Sequence, residues 1–272
     1  MSLNNLKLLL LFIIGFNLSS CSYGQLTVVC TTPSHLKEIS AIEYDANRNV
    51  FWVIQDSGNS NELIAINNRG QVEHQLELKD TKNKDWEDLT KDSKGNLYIG
   101  DFGNNNKERN TYKIYKVKES DLDQSKAQPE LIAFKLPKDS KEKNFEGFFL
   151  FKKHFYLFSK EEGKTVIYKV PNESGEHKAK KIGSHKFHEK ASKVTSAAIS
   201  TDGNTVVLLN HYRLWKLSDF SGDDFFSGSI DKLDLEHSSQ KEGVGFLSSN
   251  KVVITDERSS WIGGNIYSFE ID

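Results

Sequence analysis

The sequence predicts an all-β protein, a five-bladed β-propeller with four strands in each blade. A hairpin unit occurs five times along the chain, and its starts are 47, 59, 50 and 46 residues apart. A further apolar-aromatic segment follows every hairpin, and no segment shows a convincing helical pattern. Four strands in a repeat of roughly fifty residues are typical of propellers.

The five hairpins share one plan, which is clearest in the second copy, DWEDLTKDSKGNLYIGDFGNN from residue 85 to residue 105. A first strand begins near a polar residue, a turn rich in Asp, Asn, Gly, Ser or Lys follows, and a second strand ends on another polar residue. The opening residues are Ser40, Glu87, Glu146, Ser196 and Glu242. The closing residues are Asp56, Asp101, Ser159, Asn210 and Asp256, at offsets of 16, 14, 13, 14 and 14.

The outer strands follow from the remaining apolar segments. Third strands are expected at residues 63–65, 114–115, 167–168, 214–215 and 266–267. Fourth strands are expected at residues 72–78 and 130–136, within residues 177–182, and within residues 229–235. The fifth repeat ends too early for a fourth strand. We therefore expect the strand at residues 26–31 to complete the last blade and close the ring, which removes an exposed edge.

The N-terminus predicts export. Lys7 precedes an apolar run at residues 8–16, which is too short to cross a bilayer. The following sequence LSSC, which ends at Cys21, resembles a bacterial lipobox, in which the cysteine is lipidated and anchors the protein to the membrane. Ordinary signal cleavage after Gly24 is the alternative. The mature protein is expected to be a cell-envelope lipoprotein, periplasmic or at the surface, or else a secreted protein.

The composition is that of an ordinary globular domain. Hydrophobic residues make up 37% of the chain and charged residues 27%, with a formal net charge of -2. These values do not indicate a binder of nucleic-acid polymers, although a near-neutral sum leaves room for local patches of either sign. We expect residues 1–24 to be the signal and a short tether, and residues 25–272 to form one monomeric propeller, which is long enough to build its own core.

The register brings the polar residues of the hairpins to one place. In a propeller the first strand of each blade lines the central channel, and the second strand returns antiparallel to the same end. We call that end the mouth. Three carboxylates and two hydroxyls that point at one axis suit a hard cation, and calcium accepts many oxygen ligands. Zinc is disfavoured because no His or Cys joins the ring. Merely solvated residues, or bonds to the neighbouring blade, are the alternative.

This register resembles that of the calcium-activated nucleotidases (apyrases), five-bladed propellers with a calcium ion on the axis. The matching pieces are EIS at 38–40, WE at 86–87 with LYIG at 97–100, FE at 145–146, TS at 195–196 and EGV at 242–244. The resemblance implies that Ser40, Glu87, Glu146, Ser196 and Glu242 supply the calcium ligands, by side chain or through water. Gluconolactonase-like and phytase-like propellers share this style of acidic channel, but usually have six blades.

The loops at the mouth supply candidates for chemistry. Asp56, Asp101 and Asp256 surround the expected ion, and one of them could act as a general base on a metal-bound water. Trp86, His211, Arg213 and Arg258 are candidates for binding an anionic substrate and walling its pocket. Lys107 and Lys160 lie in the same loops and are expected to be solvated.

Two functions fit this site. The first is a calcium-dependent hydrolase that acts on a phosphate ester, a nucleotide or a lactone. The second is a non-catalytic propeller that recognises a glycan, a peptide or a partner protein, with calcium as a structural plug. The chain departs from the apyrases at the ends of the second strands and in the loops after them, where that family binds nucleotide. The resemblance to the apyrases therefore supports calcium binding more strongly than nucleotidase activity.

Overall fold

The structure, a computed structural model, describes residues 26–259 and 262–272. In these residues five antiparallel-based sheets form a ring, with a single 3-10 turn at Glu119–Asp121. The predicted five-bladed β-propeller is confirmed. The predicted signal and lipidation site, including Cys21, lie outside the described residues. Among the described residues, no helix has the length and apolar character needed to cross a bilayer.

The strands are numbered in chain order. The first is β1 (Thr27–Thr31), and blade one contains β2 (Ile39–Asp45), β3 (Val50–Gln55), β4 (Glu62–Ile66) and β5 (Val72–Leu78). Blade two contains β6 (Trp86–Lys91), β7 (Leu97–Asp101), β8 (Tyr112–Val117) and β10 (Glu130–Lys135), while β9 (Lys126–Ala127) joins the edge of blade one beside β5.

The remaining strands complete three more blades. Blade three contains β11 (Phe145–Phe151), β12 (His154–Ser159), β13 (Lys164–Pro171) and β15 (Lys180–Lys186), while β14 (Gly175–Lys178) joins blade two beside β10. Blade four contains β16 (Ser196–Ile199), β17 (Val206–Leu209), β18 (Arg213–Ser218) and β19 (Ser229–Asp234). Blade five contains β20 (Lys241–Ser248), β21 (Lys251–Asp256) and β22 (Asn265–Glu270).

The ring closes through the N-terminal strand, as the sequence predicts. Strand β1 pairs antiparallel with β22, with Thr27 opposite Ser268 and Cys30 opposite Ile266. The five inner strands contact one another in the order β2, β6, β11, β16 and β20, and β20 contacts β2 again. Strand β1 is therefore the outermost strand of blade five, and its pairing with β22 closes the ring.

The hydrophobic core lies between neighbouring blades. Trp52 of blade one and Trp86 of blade two share one buried cluster. Phe102 of blade two packs edge-to-face on Phe148 of blade three, with ring centroids 5.0 Å apart. Such aromatic pairs add about 0.5–1.5 kcal/mol beyond their buried area. The aromatic contacts hold the blades at a fixed angle and thereby fix where the inner strands begin.

One buried carboxylate ties three blades together at the axis. Asp88 of β6 is fully buried, and its Oδ2 accepts hydrogen bonds from the Phe148 backbone N–H (2.9 Å) and the Ala197 backbone N–H (3.2 Å). Its Oδ1 accepts the Ser196 hydroxyl (3.0 Å) and the Leu89 N–H (3.0 Å). Asp88 thus links blade two to blades three and four.

Asp88→Ala is expected to lower the free energy of unfolding by about 3 kcal/mol, because several buried donors lose their acceptor at once. Chemical denaturation of the variant measures this. Asp139→Ala removes an exposed carboxylate and is the matched control, with an expected change within about 0.5 kcal/mol. A loss no larger than that of the control would contradict the role given to Asp88.

Candidate functional site

The opening residues of four blades are set by β-bulges. In each of β2, β6, β11 and β20 the pairing with the second strand shifts by one residue, and the extra residues are Ser40, Glu87, Glu146 and Glu242. A bulged residue is left out of the regular ladder, and bulges commonly re-aim a side chain beside a functional site. Blade four has no bulge at this position, where Ser196 pairs with Leu209.

Three carboxylates meet at the mouth between blades one and two. Asp56, Asp85 and Glu87 each offer an oxygen, and these oxygens all lie within 4.8 Å of one another. Gly103 makes this approach possible, because a Cβ at this position would lie 2.1 Å from Glu87 Oε1 and 2.4 Å from Asp85 Oδ2. The three carboxylates therefore pack directly against backbone.

A clamp in blade two holds this arrangement in place. Arg109 is buried and donates from Nη2 to Asp101 Oδ1 (2.8 Å) and from Nη1 to the Gly103 carbonyl (3.0 Å). The same Asp101 oxygen accepts the backbone N–H of Asp85 (3.1 Å). The clamp fixes Gly103 and Asp85 against each other, and with them the position of Glu87.

Glu146 and Glu242 continue the acidic surface across blades three and five. Glu146 forms an ion pair with Lys160 and accepts a hydrogen bond from Asn144 Nδ2 (3.1 Å). Glu242 accepts a hydrogen bond from Gln240 Nε2 (2.7 Å), and its Oε1 lies 3.7 Å from His211 Nδ1. Lys160 is thus not a solvated lysine, as the sequence analysis expected, but the cation that faces the carboxylates.

Burial and mutual repulsion raise the pKa values of these acids. Burial, followed by the charge of Asp56, raises the pKa of Asp85 to about 6. Burial and the charge of Glu146 raise the pKa of Glu242 to about 8, and burial raises that of Glu146 to about 7 although Lys160 opposes it. The pKa of Glu87 is raised well above its usual range by burial and then by Glu146.

The pKa values of the two basic side chains at the mouth, Lys160 and His211, are shifted in opposite directions. Burial alone lowers the pKa of Lys160, but Glu146, Glu242 and Glu87 outweigh it and raise the value. Burial, together with the charge of Lys160, lowers the pKa of His211 to about 4, so that His211 is neutral at physiological pH. Lys160 is therefore the charged partner of this surface, and His211 is a neutral one.

The two serines of the predicted ring turn toward neighbouring blades. Ser40 Oγ donates to the Trp86 carbonyl (2.9 Å), and Ser196 Oγ donates to Asp88 and accepts the Val244 N–H (3.1 Å). The sequence analysis left two roles open for these serines, a metal ligand or a hydrogen bond to another blade. The observed contacts are hydrogen bonds to other blades.

Two of the three closing aspartates, Asp101 and Asp256, lie in different places from those predicted. Asp101 is bound by Arg109, and Asp256 accepts hydrogen bonds from the Tyr267 hydroxyl (2.8 Å), the Asn265 N–H (2.8 Å) and the Ser239 hydroxyl. Both are about 1% exposed, so the prediction that they face a substrate as general bases is corrected. Asp56 is the one predicted base that faces the carboxylates of the mouth.

Three predicted substrate-binding residues also have structural partners. Trp86 is fully buried against Tyr115 and does not wall the mouth. Arg213 forms ion pairs with Glu189 and Asp234, and Arg258 donates to the carbonyls of Thr32 (2.7 Å) and Gly264 (3.1 Å). Both arginines are therefore engaged away from an incoming anion, which corrects the prediction.

Two further sets of residues belong to the site. Polar residues lie two positions before four of the opening residues, and they are Glu38, Asp85, Asn144 and Gln240. They occupy the same position in four of the repeats, so the repeat register could have revealed them. The residues just after the closing residues include Lys160, His211 and Glu257, and burial and Asp56 raise the pKa of Glu257 to about 7.

Comparisons with known proteins identify a family and a fold. The family model described as SdiA-regulated matches residues 25–218. No protein with curated information matches the chain significantly. Among solved structures, the PQQ-bound aldose sugar dehydrogenase of Streptomyces coelicolor is similar with a TM-score of 0.56 and 11% identity, over 92% of this chain and 98% of that one. The Cps50 (Swd1) β-propeller domain of Myceliophteria thermophila has a TM-score of 0.47 and 11% identity, over 91% of this chain and 100% of that one.

We expect the stability of the protein in chelator to fall as the pH rises from about 6.5 to about 8. In this window the folded state binds more protons than the unfolded chain, because the pKa values of Glu242 and Glu146 are raised to about 8 and about 7. The lowered pKa of His211, about 4, opposes the trend mainly below pH 6.5, and the lowered pKa of Lys241, about 8, opposes it mainly from pH 8 upward. Thermal melts should show a fall of roughly 5 °C.

The variant Glu242→Gln is expected to flatten this profile, because it removes a carboxyl whose pKa is raised to about 8. Glu176→Gln, which removes an exposed carboxylate, should leave the slope unchanged. A midpoint that is constant or rises between these pH values in the parent protein would contradict the raised pKa values.

Proposed function

The chain belongs to the SdiA-regulated family, and we propose that it is an exported β-propeller whose acidic mouth binds calcium and forms part of a recognition surface. The observation that carries this proposal is the meeting of Asp56, Asp85 and Glu87, whose oxygens lie within 4.8 Å of one another. Glu146 and Glu242 border this group and add two more buried carboxylates.

The donor set fits calcium by its chemistry. The group contains carboxylate oxygens and neither His nor Cys, and calcium takes six to eight oxygen ligands in flexible geometry, at about 2.3–2.6 Å. Asp56, Asp85 and Glu87 would hold the ion, with Glu146 and Glu242 as neighbours. This set takes Asp56 and Asp85 in place of the ring serines, because the oxygens of Asp56 and Asp85 meet that of Glu87, whereas Ser40 and Ser196 are turned toward Trp86 and Asp88. When bound, the ion supplies positive charge among groups that otherwise repel one another.

A binding role has more support than hydrolysis. A hydrolase that acts on phosphate esters or nucleotides needs groups that hold an anion at the mouth. Arg213 and Arg258 are engaged elsewhere, His211 is neutral, and Lys160 is paired with Glu146. The calcium-dependent hydrolase remains the second candidate, with Asp56 as its base. The favoured function is recognition of a carbohydrate, peptide or partner protein at the calcium-loaded mouth.

Export and anchoring rest on the N-terminal sequence. The apolar run at residues 8–16 and the LSSC motif favour a lipid-anchored protein of the cell envelope, with Cys21 as the modified residue. The similar sugar dehydrogenase binds PQQ according to its title, but an identity of 11% supports the common fold alone. PQQ chemistry is therefore not part of this proposal.

Calcium is expected to raise the thermal midpoint of the protein that lacks residues 1–24, because the ion binds the folded state and relieves repulsion among the acids. At calcium concentrations about 100 times the Kd, the gain is about 2.7 kcal/mol. The paired variant Asp56→Asn with Glu87→Gln should abolish the calcium-dependent shift, while Glu176→Gln should keep it. Differential scanning calorimetry and calcium titration calorimetry measure these effects. The absence of a shift in the parent protein would overturn the calcium proposal.

Assays with nucleoside diphosphates, aryl phosphates and lactones separate the two candidates. The recognition role predicts no calcium-dependent turnover of any of them. Turnover that depends on calcium and is lost in Asp56→Asn would instead establish the hydrolase.

Lys160→Met is expected to tighten calcium binding by roughly ten-fold, because the lysine competes with the ion for the charge of Glu146 and its neighbours. Lys107→Met removes an exposed lysine of the same set of loops and should leave the calcium affinity unchanged. Titration calorimetry of the three proteins measures the difference. Weaker binding in Lys160→Met would show that the lysine supports the site rather than competing for it.

A further inference from the structure

A surface of opposite charge lies on the outer part of blade three. Between residues 135 and 193 the chain has fifteen lysines and eight acidic residues, although the whole chain carries a formal charge of -2. Exposed lysines of this segment lie on β14, at the outer edge of blade two, and on β15, at the outer edge of blade three. We call the surface formed by His154, Lys169, Lys178, Lys180 and Lys181 the lysine edge.

The lysine edge surrounds a cavity. Its volume is about 560 Å³, and the five residues of the lysine edge line it together with Pro171, Ile182 and Asp223. Four lysines and one aspartate line it, so the formal charge of the lining is positive. The cavity thus combines an open concave shape with four ammonium groups.

Most of these lysines have no anionic partner. Lys169 forms an ion pair with Asp223 (2.6 Å). In the part of the chain that the structure describes, no carboxylate lies within the 4.0 Å ion-pair distance of Lys178, Lys180 or Lys181. An external anion would therefore meet ammonium groups that are free to bind it.

The sheet also places like charges opposite each other. Lys169 is opposite Lys180 and Lys164 is opposite Lys186 across β13 and β15. Lys135 is the register partner of Lys178 across β10 and β14. Like charges directly opposite in a sheet destabilise it by a few tenths of a kcal/mol to about 1 kcal/mol. An arrangement of this kind becomes favourable when a polyanion neutralises it.

We propose that the lysine edge binds a flexible, linear polymer that carries phosphate groups, which enter the cavity between the lysines. The lysine edge contains no arginine, so recognition rests on point charges rather than on bidentate contacts, which suits a repetitive polymer more than one specific phosphate group. Its binding energy comes from counterion release and depends steeply on salt.

Other polyanionic surfaces fit the lysine edge less well. A planar bilayer cannot enter a cavity, and the large exposed apolar side chains that the structure describes, Val28, Leu131, Tyr212 and Ile262, do not line it. Single-stranded nucleic acids bind mainly through Phe, Tyr and Trp side chains that stack on bases, and none of these three residue types lines the cavity. A flexible phosphate polymer needs only the charges and the space that are present.

Binding of medium-chain inorganic polyphosphate to the propeller that lacks residues 1–24 tests this proposal. Chelator is present throughout, so that calcium cannot bridge the polymer to the mouth. We expect binding with a negative slope of log affinity against log salt, of about -0.7 for each lysine contacted. The variant Lys178→Gln, Lys180→Gln, Lys181→Gln should reduce the magnitude of that slope by roughly 2 and lower the affinity on the order of a hundred-fold at about 0.1 M salt.

The control variant Lys79→Gln, Lys82→Gln, Lys94→Gln removes the same number of exposed charges elsewhere and should bind like the parent protein. Thermal melts establish that both triple variants are folded. Equal losses in the two variants would overturn the proposal, because net charge would then explain binding. Binding of anionic phospholipid vesicles or single-stranded DNA without binding of polyphosphate would also overturn it. The test is independent of calcium, so its failure leaves the proposed function untouched.

Discussion

The constraint on which this protein depends is the burial of several carboxylates at one end of its axis. Bulges in the inner strands turn Glu87, Glu146 and Glu242 out of the ladder, and the aromatic cores between blades prevent the strands from moving apart. Like charges that lie together in a poorly solvated space disfavour the ionised form of each acid, and the pKa values of these three glutamates are therefore raised. Lys160 offsets part of this repulsion. A bound cation of higher charge offsets more of it, and this is the physical basis of the calcium proposal.

Local rules were enough to predict the fold. Turn chemistry marked each hairpin, apolar-aromatic segments marked the third strands, and the short fifth repeat required the strand at residues 26–31. The outer part of blade three was harder. Strand β14 lies beside β10 of blade two, and β15 begins later than the segment predicted within residues 177–182. Both are polar edge strands, and their pairing depends on contacts with distant parts of the chain that carry no local signature.

The repeat register predicts which side chains of the inner strands lie together, but not which residues follow the strand ends into the mouth. It identifies Glu87, Glu146 and Glu242, because they share one position of the inner strands. It also predicts Asp101 and Asp256 from the strand ends, but their side chains are held in buried hydrogen-bond networks between strands, and the following residues, such as Lys160 and Glu257, approach the mouth. An extra residue on one strand changes which positions of its partner lie opposite it, and the sequence spacing does not show this.

The acidic mouth and the lysine edge lie far enough apart to act independently. Strand β15 is separated from β11 by three strand spacings, about 14 Å in all. His154 and Lys169 lie at the opposite end of blade three from Glu146, because β12 and β13 run between the two ends. The separation along the strands adds roughly 15–20 Å, so the total exceeds the Debye length of about 8 Å in physiological salt. An anionic polymer on the lysine edge is therefore screened from the carboxylates, and one propeller can hold an anion at its edge and a cation at its mouth at the same time.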